Sequence, residues 1–380
     1  MFQLSDEQRA LVRAVHDLAE SEFESRACSW QGEFPRENVE LLADRGYLGI
    51  NFPEEYGGGG LTELEALLVV ETVGRVCPDT AEFLLFQQFV APRAIEMFGS
   101  ADCKERYLPG VVAGESFVAI AISEPEAGSD VKSMMTTVRE EEEGELYIDG
   151  EKTWVGYVPE SSAAVVWAKF PESMGAVVVE LDTDGITIED HYTNMAGHSQ
   201  THFTLDDVHV PAEHVLTRGE AAFEQQLDAL NWERLGTAVI PIVAGWRALD
   251  EALEYAETRE QFGQPIGDFQ GIEWKLADMA TDLQAARALT YHAAFRADAR
   301  DRAPDPMSTA MAKLFAGRTG ERVVSEALQI HGANGYQQGH PLEYLHRFVR
   351  AYRIAGGTDE MQQNVVARAL KRGQDLDEVL

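Results

Sequence analysis

What this sequence has least of is positive charge. Against 65 acidic residues stand only 31 lysines and arginines among 380, a formal net charge of -34 with an isoelectric point near 4.5. A field of that sign repels nucleic-acid phosphates and anionic lipid headgroups, which argues against both as partners. It points instead to a solvated surface suited to high salt, where screening is strong. Cysteine is scarce too. Cys28, Cys77 and Cys103 fall at no metal-binding or redox spacing, so free, partly buried thiols in a reducing compartment are expected. No run of 18 apolar residues occurs, and Met1 to Gln8 carry acids where a basic leader would stand. The expectation is a cytoplasmic protein with neither signal peptide nor membrane span. Gly57 to Gly60 lack the Gly-x-x-x-x-Gly-Lys-Ser/Thr pattern of a phosphate loop and read as a turn. His191, His198 and His202, with Asp206 and Asp207, match no common zinc or iron spacing, so no metal is expected.

What is present is ample core material. Hydrophobic residues make up 45% of a chain long enough for two or three packed units. Ser5-Asp6-Glu7-Gln8 caps a helix with Leu11, Val15, Leu18 and Phe23 on one face. Further helices are expected over Pro35 to Gly46 (core candidates Val39, Leu41 and Leu42), Thr62 to Val76, Asp79 to Phe98, and a short piece to Gly114. From Phe117 to about Ala222 helical periodicity vanishes. Phe117 to Ile122, Leu146 to Ile148, Ala163 to Trp167, Ala176 to Leu181 and Phe203 to Leu205 read as strands, with turns at Asp149-Gly150 and Asp184-Gly185. Apolar spacing of three and four returns from Phe223 to Thr258, then over Ile272 to Arg300, Met307 to Gln329 and Asp359 to Lys371. Glu140 to Glu143 is the one low-complexity stretch. The fold class is therefore mainly α with an inserted β domain: helical 1–116, β 117–222, helical 223–380.

The chain is organised around Ala121-Ile122-Ser123-Glu124-Pro125-Glu126-Ala127-Gly128-Ser129-Asp130, where a strand gives way to small hydroxyl residues and a glycine that permits a tight turn or close approach to something flat. On composition alone this is a polar connection. The string resembles a signature of the acyl-CoA dehydrogenase family, and four more segments resemble that family in its order. They are Gly150-Glu151-Lys152-Thr153-Trp154, Arg259 to Ile266 with Phe269-Gln270, Gln329 to Tyr336, and Gly357-Thr358-Asp359-Glu360. The resemblance covers nearly the whole chain. It implies an N-terminal helical domain, a barrel-like β middle and a C-terminal four-helix bundle. It also implies FAD, an acyl-CoA substrate, electron transfer flavoprotein as acceptor, and a homodimer or homotetramer.

By resemblance, Ile122, Ser123, Gly128, Ser129, Trp154 and Gly156 lie on the flavin side. Arg259, Gln261, Phe262, Gln329, Gly332, Gly335, Thr358 and Glu360 belong to segments that meet the cofactor, with Arg259 on the pyrophosphate and Phe262 on the adenine side of FAD held by a neighbouring subunit. Counting residue types alone would place Trp154 in the core; Arg259, Gln261 and Phe262 read as the C-terminal end of the long helix, an arginine there being favoured by the dipole, with Gly263 and Pro265 ending the helix. His331 reads as structural, because no serine, cysteine or second ligand is paired with it. Phe83, Phe86, Tyr352 and Ala355 are candidates for the acyl pocket and equally for ordinary core.

Three departures from the family pattern matter. Gly156 stands where a neighbouring hydroxyl is usual, which removes a hydrogen bond near flavin N5 worth typically about 1–3 kcal/mol. Phe348 follows Arg347 where an aspartate is common. Gly356 precedes Gly357-Thr358 where many members carry the base glutamate. Long-chain and isovaleryl members, with a small residue there, take the base from a Glu-Arg pair early in the long helix, and Glu233-Arg234 occupies that place. The expected catalytic set is Glu233 as base, Arg234 to orient it, and the Gly356 N–H to polarise the thioester carbonyl. The expected reaction is α,β-dehydrogenation of an acyl-CoA to the trans-2-enoyl-CoA. An oxidase or monooxygenase on the same fold, or an inactive acyl-CoA-binding homologue, are the alternatives.

Overall fold

The computed structural model describes residues 3–141, 144–300 and 302–374. Glu142 and Glu143 of the acidic stretch lie outside them. The order is helices, then strands, then helices, as the periodicity predicted. Contacts divide the chain into two compact units. One comprises residues up to Pro35, Glu63–Phe83 and Arg234 onward; the other comprises Arg36–Thr62 and Leu84–Glu233.

The first unit is helical. Its α1 (Asp6–Glu22) starts on a reciprocal cap, in which Ser5 accepts the Gln8 amide while the Gln8 side chain accepts the Ser5 amide. Helix α3 (Glu63–Val76) is buried almost throughout. Three long helices follow: α7 (Ala222–Thr258, of which this unit holds the part from Arg234), α8 (Gln270–Asp298) and α9 (Pro306–His331). They meet through a buried cluster of Ala238, Ile242, Ala286 and Ala316, against which Trp246 packs. Helix α11 (Asp359–Lys371) matches its predicted span. Helix α10 (Pro341–Val349) was not foreseen. Its Tyr344 and Phe348 continue into Tyr352 as a ladder with centroids 5.7 and 5.6 Å apart. Phe348 is fully buried there, and Arg347 pairs with Glu343 one turn back instead of with a following aspartate. The buried carboxylates of Asp79 and Glu82 accept the hydroxyls of Tyr344 and Tyr352.

The second unit carries the sheet. Here α2 (Arg36–Asp44), α5 (Ala91–Phe98) and α6 (Ala101–Val112) accompany strands β1 (Phe117–Ala121), β2 (Thr137–Glu140), β3 (Leu146–Gly156), β4 (Ser161–Lys169), β5 (Met174–Glu180), β6 (Ile186–Thr193), β7 (Ser199–Val210) and β8 (Val215–Thr217). The strand order is β6-β7-β3-β2-β4-β5-β8, with β1 parallel to β4. One face packs Val166, Val177, Phe203 and Leu205 together; the other packs Val165, Trp167 and Val178 with Ile95, Leu108 and Val111.

Two expectations need correcting. The helix read over Asp79 to Phe98 is two, α4 (Pro78–Phe89) and α5, because Val90 leaves helical geometry (φ -106°, ψ -112°) and Pro92 opens the next helix. Asp149-Gly150 is not a turn: β3 runs through it. Gly150 sits at a bulge against β7 with φ +157°, and a Cβ there would fall 2.3 Å from the Thr136 hydroxyl, so the close approach of that backbone requires glycine. The Gly57–Gly60 turn stands as expected, with Gly57 and Gly60 both at positive φ.

Candidate active site

The residues expected on the flavin side lie in the sheet unit. Strand β1 ends at Ala121, and the chain turns through Glu124 and Ala127, whose amides and carbonyls pair at 3.0 and 3.1 Å. The Ser123 carbonyl accepts the Thr153 N–H at 3.0 Å, which fastens this turn to β3. Ile122 and Ser123 are half-buried, while Gly128 and Ser129 are exposed. A Cβ built on Gly128 or Gly156 meets nothing within 4 Å. Gly128 therefore has ordinary backbone geometry with open space in front of it, and the tight-turn explanation for it falls away.

Trp154 is not in the core. It is 55% exposed at the second bulge of β3, with φ +60°, and its ring leans on Tyr192 at 4.9 Å. A left-handed backbone at a non-glycine residue costs roughly 1–2 kcal/mol, and here it turns the indole outward. Tyr157 repeats the conformation at φ +59°, and Phe86 meets its ring edge-on at 4.9 Å.

A buried ion pair holds these segments, and the sequence reading passed over it. Lys152 is fully buried and donates to the Ile122 carbonyl at 3.0 Å and to Glu124 Oε1 at 2.9 Å. Glu124 also accepts the Met135 and Thr136 amides and the Thr136 hydroxyl. Burial alone works to raise the Glu124 carboxyl, but those hydrogen bonds and Lys152 outweigh it and hold it below its ordinary value. Burial pushes the Lys152 ammonium down to about 8, partly offset by Glu124.

In the helical unit, the Gly356-Gly357 loop is held by its carbonyls. Arg234 Nε donates to Gly356 O at 3.0 Å. Lys313, 2% exposed on α9, donates to Gly357 O at 2.7 Å and Tyr352 O at 3.2 Å. Gln362 Nε2 adds a 3.0 Å bond to Gly357 O. Gly356 and Gly357 take φ +64° and +95°, so the loop needs glycine at both places. Thr358 caps α11 by accepting the Met361 amide, and Glu360 is exposed in the first turn. Glu233 is half-buried directly before Arg234, after the buried Trp232. Ala355 is exposed, whereas Phe83 and Tyr352 are buried.

The remaining segments correct one placement. Helix α7 ends at Thr258, so Arg259, Gln261 and Phe262 lie beyond it, not in its last turn. β9 (Glu260–Gln261) and β10 (Gln264–Pro265) form a small hairpin with Phe262 (φ +53°) and Gly263 (φ +84°) at its tip. Phe262 is 95% exposed. Gln329 is exposed near the end of α9, and Gly332 terminates that helix at φ +57°. Gly335 is buried so closely that a Cβ would stand 2.8 Å from that of His331. The His331 ring is buried, with Nδ1 3.0 Å from the Ala327 carbonyl, and stacks on Tyr255 at 4.2 Å. Among the described residues no group of three or more His, Cys, Asp or Glu side chains could hold a metal ion. No helix among them is long and apolar enough to cross a membrane. All three cysteines are free and buried; burial raises the Cys77 and Cys103 thiols to about 12.

An outward indole beside accessible serine hydroxyls and open glycines fits one face of a flat, polar-edged ring, and the exposed Phe262 fits a second aromatic group. Such surfaces on a helix–sheet–helix chain are what a flavoprotein of the FAD-binding, acyl-CoA-acting oxidoreductase class would need. The chain matches the acyl-CoA dehydrogenase N-terminal domain over 5–115, the middle domain over 119–208 and the C-terminal domain over 223–371. It is 35% identical to the acryloyl-CoA reductase (NADH) of Anaerotignum propionicum, across 98% of this chain and 96% of that one. It is 34% identical to a probable acyl-CoA dehydrogenase, YngJ, of Bacillus subtilis, across 97% and 99%. The solved structure of butyryl-CoA dehydrogenase from Megasphaera elsdenii superposes with a TM-score of 0.90 at 30% identity, covering 98% of this chain and all of that one. The chain belongs to the acyl-CoA dehydrogenase family, and its cofactor is FAD.

Proposed function

We propose that this protein dehydrogenates an acyl-CoA thioester between Cα and Cβ, with Glu233 as the base. The observation that carries this reading is the Arg234–Gly356 hydrogen bond. It ties the Glu-Arg pair of α7 to the loop position where a glycine replaces the usual carboxylate. Arg234 Nε donates to that carbonyl, so its cation stands beside the loop, and Glu233 is the half-buried carboxylate one residue earlier on α7.

The Glu233 carboxylate takes the α-proton, and loop amides at Gly356-Gly357, their carbonyls drawn away by Arg234, Lys313 and Gln362, stabilise the thioester oxygen as it gains charge. Bound FAD supplies the two-electron acceptor that takes the β-hydrogen as hydride. Ile122, Ser123, Gly128, Ser129, Trp154 and Gly156 hold the ring, with the indole excluding water from one face. Arg259, Gln261, Phe262 and the Gln329 to Gly335 loop serve the adenosine half of FAD in a neighbouring copy. Electron transfer flavoprotein is the acceptor in this scheme.

Glu233→Gln tests the assignment. It keeps the side-chain shape and removes basicity, so FAD content and acyl-CoA affinity persist while anaerobic flavin reduction falls at least about 100-fold. Reduction near the parental rate would place the base elsewhere. Some family relatives are named reductases, so the parent is assayed in both directions, with saturated acyl-CoA and with enoyl-CoA plus reduced acceptor.

A further inference from the structure

The sequence contains seven lysines, and five of them are exposed or half-buried. Lys152 is one of the two buried, and its partner Glu124 is 6% exposed. Burying a charge pair is expensive, and apolar residues of similar volume usually serve folding as well or better. A chain so poor in cations that keeps one here invites a functional account.

The pair sits beneath both flavin-side segments. Lys152 Nζ reaches the Ile122 carbonyl, immediately before Ser123, and the Glu124 carboxylate, immediately after it. Lys152 itself lies two residues before Trp154, and Thr153 between them donates to Ser123 O. Ser123 is thus bracketed by the pair's two attachments, and Trp154 follows Lys152 on the same strand. Other ionic groups nearby are more exposed: Glu151 pairs with His202 at 2.6 Å with 45% of its side chain in solvent, and Glu126, Asp130 and Lys132 are exposed. Solvent screens those charges, while Glu124 and Lys152 act through protein.

We propose that the Glu124–Lys152 pair sets the electron affinity of the bound flavin through its charge balance, and acts as a positioning device for Ser123 and Trp154. This rests on the reading that these segments receive the flavin ring. Reduction adds negative charge to the ring. An uncompensated carboxylate beneath it opposes that change, and an uncompensated ammonium favours it. A unit charge within about 10 Å, at an effective dielectric near 20, changes the reduced-to-oxidised ratio on the order of tenfold.

The test equilibrates FAD-loaded protein with a reference dye and compares Lys152→Met, Glu124→Gln and the double variant. The expected results are a reduced-to-oxidised ratio about tenfold lower for Lys152→Met, about tenfold higher for Glu124→Gln, and near parental for the double variant. A purely structural role would move both single variants in the same direction, and that result overturns the proposal. Should Lys152→Met fail to fold, Glu124→Gln and Lys152→Arg decide: a ratio unchanged in the first, or strongly shifted in the charge-conserving second, overturns it. FAD affinity of Ser123→Ala and Trp154→Ala, read from flavin fluorescence, separates the two levels. Unchanged affinity removes the site reading and the proposal with it. Weakened affinity with no shift in the pair variants removes the proposal alone.

Discussion

Replacing Lys313 by methionine probes whether the glycine loop is held from behind. Methionine keeps most of the stem and removes the ammonium, which donates to Gly357 O at 2.7 Å and Tyr352 O at 3.2 Å. Each charge-assisted bond is worth about 1.5–3 kcal/mol, so the two together favour lysine by roughly 3–6 kcal/mol. Against this, an ammonium 2% exposed carries a desolvation penalty of several kcal/mol that methionine lacks. Gly357 O also keeps Gln362 at 3.0 Å, which softens the loss. These contributions nearly cancel, and the unfolding free energy should change by less than about 2 kcal/mol. The loop, however, loses the two bonds through which this side chain holds its carbonyls to α9. A displacement near 1 Å at a reacting centre costs about 100-fold in rate, so anaerobic flavin reduction by saturated acyl-CoA should fall between about 10-fold and 100-fold. Urea unfolding and stopped-flow bleaching of the flavin give the two numbers. A parental rate in a folded Lys313→Met protein would show that the loop keeps its geometry without the ammonium, and the reasoning would fail.

Adding Gly356→Glu to Glu233→Gln should restore part of the lost flavin reduction, at a stability cost of about 1–2 kcal/mol because position 356 has φ +64°; no recovery in a folded double variant would count against a carboxylate at 356 serving as base. With 65 acidic against 31 basic residues, the protein should assemble and resist heat better at molar salt than at low salt. Sedimentation and thermal scans check this, and a monomer that holds one FAD per chain would refute the shared adenosine site. The Lys152 ammonium lies near 8 in the fold against an ordinary value of 10.5, so between those pH values the unfolded chain binds more protons. Its contribution to stability therefore rises with pH across that window, by on the order of 3 kcal/mol. Unfolding free energies of the parent minus Lys152→Met should climb from about pH 8 upward, and a flat difference would contradict the burial.

Features with local causes were the readable ones. The Ser5–Gln8 cap, the long apolar spacing of α7 and the span of α11 from Asp359 each depend on residues within a turn or two. The misread places depend on partners far along the chain. Gly150 looks like a hairpin turn after Asp149, but it is a glycine because Thr136 crosses it. Val90 gives no local sign of a helix break apart from Pro92 two residues on. Most residues of β6 are exposed, so it lacks the inward–outward alternation that marks a half-buried strand. Trp154 reads as core by its type, and only the bulge between Lys152 and Val155 turns it out. At the site, the motif residues stood out while their supports did not: Glu124, Lys152, Lys313 and Gln362 earn their roles from bonds to distant carbonyls and amides. The rarity of lysine was the one available clue to two of them.

The same rarity makes the protein a natural reporter for amine-directed labelling. A reagent that acylates free amines would quickly mark Lys104, Lys132, Lys169, Lys275 and Lys371, which are exposed or half-buried. Lys152 and Lys313 would react only when the structure around them opens. One lies in the sheet unit and the other in the helical unit. Their two labelling rates, read by mass spectrometry in a single digest, would time the opening of each unit separately and show which one a bound ligand closes.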